Sequence, residues 1–303
     1  MHRPTLPFLL ALVVFPLFGR AQDYGWWNDT HDWDGVSPWR SYLTLAPAFM
    51  GPNALPVPDV RNGRIEEALR LRVAGEAHFG HGDRTQNLYL EGHIPLFSDR
   101  VGLHLQYVPL ERYAMTPTIR DERAARDFDG KGWASGDVYV ATHVQLLRGH
   151  ARLPDLLLAI NLKTASGNKL SAARYTDTPG YSFDLSAGKT YPVGETELSV
   201  RPHAQIGFYV WQTFQDNYYQ NDAVQYGLGC DVRFRGLTLT PALGGYYGYL
   251  GNGDRPLVVR LDLTTERERG VDYFLRLQRG LADYPYTSVR IGLNYRAAVT
   301  LQQ

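Results

Sequence analysis

The stretch IEEALRLRVAGEAHF, residues 65–79, decides how this chain is read. Its odd positions carry Ile65, Leu69, Leu71, Val73, Ala77 and Phe79, with Glu67 as the charged exception. Its even positions carry Glu66, Arg70, Arg72, Glu76 and His78. Successive side chains of a strand point to opposite faces, so one face is apolar and the other charged. Helical spacing would scatter the same charges round the cylinder, and a strand is expected.

The alternation then repeats to the end of the chain. Val138, Val140 and Val144 alternate with Asp137, Tyr139 and His143. Leu158, Ile160 and Leu162 alternate with Asn161 and Lys163, and Ala204, Ile206 and Phe208 with His203, Gln205 and Tyr209. Leu257, Val259 and Leu261 face Arg260 and Asp262, and Val289, Ile291 and Leu293 face Arg290 and Asn294. The series predicts about twelve strands of roughly 10 residues, the length a tilted strand needs to cross a bilayer. Connections read as short at 98–100, 148–153, 194–195 and 235–236, and as long at 117–133, 167–180 and 214–222. Short and long turns in alternation are the asymmetry of outer-membrane barrels, and a sheet in lipid must close because its edge would meet no water. The expected fold is all-β: a closed antiparallel transmembrane barrel spanning 64–297, with a short tail at 298–303.

Composition agrees. Mean hydropathy is −0.31, which leaves no helical membrane protein but suits an alternating barrel. Formal net charge is zero, against a nucleic-acid partner. The single cysteine, Cys230, forbids an intrachain disulfide. Residues 1–21 read as a cleaved secretory signal, with a basic start, a short apolar run and Ala21 before the cut. Residues 22–63 are aromatic and then rich in Pro and Gly; 40–50 could form one strand, and the remainder is expected to be irregular, periplasmic or lumenal. Tyr107, Tyr181, Tyr218, Tyr219, Tyr247, Tyr249, Tyr284 and Tyr286 are placed as an interfacial girdle.

DLLLAINLKTASGN, residues 155–168, resembles the strand-to-loop signature of the outer-membrane barrels named for the meta-pathway of phenol degradation. Lys163, Ser166 and Gly167 match, whereas Ala165 and Asn168 stand where Pro and Asp are usual; Ser135-Gly136-Asp137 resembles that family's approach to the preceding strand. Residues 51–58, 120–136, 163–180 and 252–256 are also similar to outer-membrane barrels of the Bacteroidota type. The resemblance implies a barrel of about twelve strands, uptake of small hydrophobic or aromatic molecules, and no catalytic residue.

The residues themselves point to a polar, ion-paired lumen. Its candidate lining is Arg70, Arg72, Glu76, Glu91, His143, Lys163, Arg201, His203, Asp231 and Arg260; with Arg233, Arg276 and Arg290 and with Glu66, Asp137, Asp184, Asp262 and Asp272 on the same face, the signs are too balanced for strong ion selectivity. Residues 117–133 are expected as a charged extracellular loop, carrying Arg120, Asp121, Arg123, Arg126, Asp129 and Trp133, with a partner or gating role. The partners expected are the lipid bilayer and a small-molecule solute. No cofactor is expected: there is no phosphate loop, and Asn28, Asp29, His31, Asp32 and Asp34 lack calcium-loop spacing. The rival reading, a lipid-modifying hydrolase using His143 or His203, lacks a His-x-Ser pair anywhere in the chain. A sealed structural or adhesive barrel is the third.

Overall fold

The computed structural model describes residues 23–96, 99–265 and 270–298, so the expected signal lies outside the described residues. Twelve strands form the wall: β1 (Leu69–Gly80), β2 (Asp83–Leu96), β3 (Val101–Met115), β4 (Tyr139–Leu147), β5 (Asp155–Lys163), β6 (Gly180–Gly188), β7 (Leu198–Gln215), β8 (Tyr218–Phe234), β9 (Leu237–Gly248), β10 (Leu257–Thr265), β11 (Gly270–Ala282) and β12 (Tyr286–Ala297). Each pairs antiparallel with its neighbours in sequence, and β1 pairs with β12 from Leu69↔Ala297 to Gly80↔Tyr286, closing the sheet. Two short strands, Lys131–Ala134 on β3 and Tyr191–Pro192 on β7, lie outside the ring.

The wall is inside-out relative to a soluble protein. On β1, Val73 is 52% exposed while its neighbour Arg72 is 7% exposed. Leu71, Phe79, Leu162, Ile206, Leu228, Val259, Ile291 and Leu293 are all exposed on the outer surface. Such a belt of aliphatic side chains has no aqueous explanation and fits acyl chains. Charges turned inward are sheltered from lipid and can pair with one another.

All strands begin and end at two rims. One, the terminus end, holds the start of β1 and the finish of β12; the other, the loop end, holds residues 81–82, 116–138, 164–179, 216–217, 249–256 and 283–285. The expected long connection at 214–222 is instead a tight hairpin, with β7 and β8 paired to within two residues of the turn. Those strands outrun the apolar belt, both faces are polar there, and the alternation that marks a strand fades. At 81–82 and 283–285 the loop end is also tight, so the asymmetry rests on 116–138, 164–179 and 249–256.

The barrel starts later than residue 64. Ile65 is buried, its backbone N–H donates to Gln145 Oε1 at 2.8 Å, and only from Leu69 does the chain join the wall. No strand forms over 40–50; a 3-10 turn, Trp39–Tyr42, is followed by a second turn in which Phe49 and Met50 N–H donate to Ala46 O. At β2–β3 the register slips between Leu88 and Leu90, where Pro109 cannot donate to the ladder. In the girdle, Tyr181, Tyr219, Tyr247 and Tyr249 face outward, but Tyr284 and Tyr286 are buried within the barrel. Their hydroxyls find partners there, which an outward rotation would lose.

Candidate conduit through the barrel lumen

The N-terminal segment runs down the inside of the barrel. Residues 23–50 sit at the loop end, where Trp27, Leu43, Leu45 and Met50 share a buried core with Tyr113, Ala124, Leu170, Ala173 and Tyr175. Trp27 Nε1 donates to Ala124 O at 2.9 Å, and Gly51 N–H to Ala173 O at 2.8 Å. Below this, Leu55 and Val57 meet Tyr209, Trp211 and Tyr246, so the upper lumen is aromatic rather than polar. The segment then descends past mid-wall. Arg260 donates to Pro58 O at 2.7 Å, and Arg276 pairs with Asp59 at 2.7 Å. Arg61 pairs with Asp184 at 2.6 Å and Asn62 donates to Asp231 at 2.8 Å. Arg64 reaches Asp155 at 2.8 Å near the terminus end. Gly63 has φ +82°, and an added Cβ would lie 2.7 Å from both Asp155 O and Gly188 N, so only glycine fits.

Between segment and wall lies a cavity of about 520 Å³. Of the expected lining residues, Arg70, Arg72, Glu76, Glu91, His143, Lys163, Asp231 and Arg260 border it. Arg201 and His203 face inward but are packed away from it: Arg201 donates to Asn62 O and pairs with Asp155, and His203 Nδ1 contacts Arg201 O. The charges are cross-braced. Glu91 holds Arg70 at 2.7 Å and Arg72 at 3.1 Å, Glu76 holds Arg290 at 3.0 Å, and Lys163 pairs with Asp137 at 2.7 Å. Arg233, Thr238, Thr264 and Arg296 carry the lining toward the terminus end.

The loop end is covered. Arg174, fully buried, joins Glu111 at 2.7 Å, Asp83 at 2.8 Å and Thr85 at 2.7 Å. Burial alone would lower its pKa, but Glu111 and Asp83 outweigh that and hold it above the ordinary arginine value. Tyr175 is pushed up by burial and by Glu111, to which its hydroxyl donates at 2.8 Å. From the 117–133 stretch, Arg123 is buried against Asp83 at 2.7 Å. Arg120 pairs with Asp121 and lies 4.2 Å from the Trp26 ring; Arg126 stacks 3.7 Å from Tyr24; Asp129 is exposed. Trp133 departs from the expected loop: it belongs to the short strand on β3 and faces outward.

Sequence reasoning missed Asp59, Arg61, Asn62, Arg64 and Arg174, because nothing in their local spacing names a partner. It also missed a hydroxyl–imidazole contact, Ser288 Oγ to His78 Nδ1 at 2.7 Å, with Asn87 Oδ1 3.0 Å from His78 Nε2. Both side chains are 2% exposed and Ser288 does not border the cavity, so this pair serves as a brace. His143 Nε2 and His203 Nε2 have no hydrogen-bond partner among the described residues. His93, His104 and His143 cluster with ring centroids 5.1 to 6.4 Å apart, the last two stacked, yet no group of three His, Cys, Asp or Glu among the described residues is arranged to hold a metal. The stretches quoted for the family resemblance meet in space: Gly167 N–H donates to Asp137 Oδ1 at 2.7 Å, and Asn168 Oδ1 accepts from Ser135 N–H at 2.9 Å.

No family model and no curated protein sequence matches the chain. Solved structures do. The COG4313 outer membrane channel from Pseudomonas putida F1 is 15% identical, with TM-score 0.50, covering 81% of this chain and 97% of that one. The KdgM porin in complex with disordered oligogalacturonate is 12% identical (TM-score 0.45; 75% and 98%). LpxR from Salmonella typhimurium is 9% identical (TM-score 0.46; 74% and 99%). At these identities the likeness extends to the outer-membrane barrel fold.

Proposed function

We propose that this chain is an outer-membrane conduit for small molecules, with a bore set by its own N-terminal segment and a loop-end mouth narrowed by residues 23–50 and the loops over them. The observation that carries it is the cavity along the segment, lined by paired charges and reaching the terminus end. The loop end faces the cell exterior, since the longer connections gather there. Tyr89, Tyr139, Tyr209 and Phe274 stand among the lining charges. This mixture suits small aromatic solutes that carry a polar group, consistent with a relationship to the phenol meta-pathway family, which the meeting of 135–137 with 163–168 supports.

Reconstitution of the full chain in planar bilayers tests this. Small conductance steps are expected, with a reversal potential near zero in a salt gradient because the lining charges neutralise one another. Replacing Arg72 with Gln leaves Glu91 under-compensated and shifts that potential toward cation preference. Silence from correctly folded protein, including variants with a loosened cap, overturns the proposal.

A further inference from the structure

The outer wall breaks its own rule on β1–β3. Register places the outward residues there in rows. Nearest the loop end, Lys131 lies beside Ala114, Arg84 and Phe79. One row down, Trp133 lies beside Arg112, Gln86 and Ala77. Below that come Leu110, Leu88, Gly75 and Ile291, and the wall is aliphatic again. Arg84, Arg112 and Lys131 are exposed, and none has an ion-pair partner among the described residues. Inward arginines are held by carboxylates; these three outward cations are left open.

Directly beneath them the wall is dented. Gly75 and Ala77 leave a groove of about 690 Å³ between Leu88 and Leu110 on one side and Val289 and Ile291 on the other, with Trp133 at its rim. A Cβ on Gly75 would meet nothing within 4 Å. We infer that this face binds a phosphorylated glycolipid of the outer leaflet, its phosphates held by Arg84, Arg112 and Lys131 and one acyl chain lying in the groove. Unpaired cations are costly at the bilayer midplane and tolerated near its surface, where phosphate is the complementary charge. Guanidinium groups suit it because they offer paired N–H donors to phosphate oxygens. The inference rests on the loop end facing outward and is independent of conduction.

The test is native mass spectrometry of the full chain in detergent with diphosphoryl lipid A, dephosphorylated lipid A or inorganic phosphate. Retention of the diphosphoryl lipid is expected, falling at least tenfold in R84Q/R112Q/K131Q and several-fold in Gly75→Leu, which fills the groove without touching the cations. Equal retention in the triple variant or of the dephosphorylated lipid overturns the site. So does full displacement by millimolar inorganic phosphate, which would make it a general anion site. Heat-modifiable gel migration confirms that each variant is folded, and Gly75→Leu carries the test if the triple variant is not. An impermeant maleimide applied to intact cells carrying Ser37→Cys reports the facing of the loop end separately; absence of labelling overturns the placement in the outer leaflet.

Discussion

Fixing the lumenal segment to the wall should leave conduction unchanged. Arg276 makes two hydrogen bonds to Asp59, Arg260 donates to Val57 O and Pro58 O, Arg61 and Arg64 pair with Asp184 and Asp155, and Arg201 donates to Asn62 O. Buried bonds to charged groups contribute about 1.5–3 kcal/mol each; Arg64 is nearly half exposed and adds little, so the other four arginines give a tether on the order of 6–12 kcal/mol. At 1.4 kcal/mol per factor of ten, the withdrawn state is populated at about 10⁻⁴ or less. On the conduit reading, a solute crossing the barrel passes beside residues 57–66. A Val60→Cys/Gly227→Cys pair in a Cys230→Ser background fixes the segment, because a Cβ on Gly227 would lie 3.2 Å from Val60 Cβ. That is a few tenths of an ångström short of the usual disulfide range of about 3.5–4.5 Å, a gap that a small shift of the segment closes. Single-channel conductance of oxidised and reduced protein should agree within about twofold. Silence when oxidised, with recovery on reduction, would show that the segment leaves the lumen to conduct and that the tether is overestimated.

Other perturbations separate cap, brace and wall. Trp27→Ala removes a buried ring and its bond to Ala124 O, costing about 3–5 kcal/mol locally. Residues 23–50 should then become cleavable by trypsin at Arg40 and conductance should rise, while the barrel keeps its heat-modifiable migration. Arg174→Met leaves Glu111 without its cation and should cost about 3–5 kcal/mol, read as a lower urea midpoint; a near-neutral result would mean the cluster relaxes into water. Val73→Arg puts a charge against acyl chains and should cost about 2–4 kcal/mol in bilayer refolding if Val73 lies near the midplane. An equal effect in detergent micelles and in bilayers would contradict that placement.

The wall was legible because its physics is local. Arg72 beside Val73 states which face meets lipid, and the same contrast at Arg260 and Val259 repeats it. The lumenal segment was not, since its environment is set by residues far away in sequence. Asp59 meets Arg276 and Asn62 meets Asp231, and no spacing near Asp59 announces either. Arg174 shows the same limit, as a lone cation among Leu170, Ala172 and Ala173 whose carboxylates come from β2 and β3. Tyr286 was placed outward because aromatic residues at strand ends serve girdles, but alternation alone cannot tell that its hydroxyl pairs with Asp83.

The threading constrains assembly. Residues 57–66 pass through a ring that is hydrogen-bonded all the way round, with a packed cap above and β1 continuous below. The cap cannot be drawn through the lumen once Trp27, Leu43 and Met50 are buried against loops that exist only after β3 and β5 have formed. A segment laid along the growing sheet before β12 reaches β1 needs no such passage, and the twelve register pairs from Leu69↔Ala297 to Gly80↔Tyr286 then close around it. Its arginine contacts span β5, β6, β7, β10 and β11, so it gathers both halves of the sheet toward one axis as well as narrowing the bore. The same bonds that keep the segment from leaving the finished barrel would then favour the curvature that closure requires.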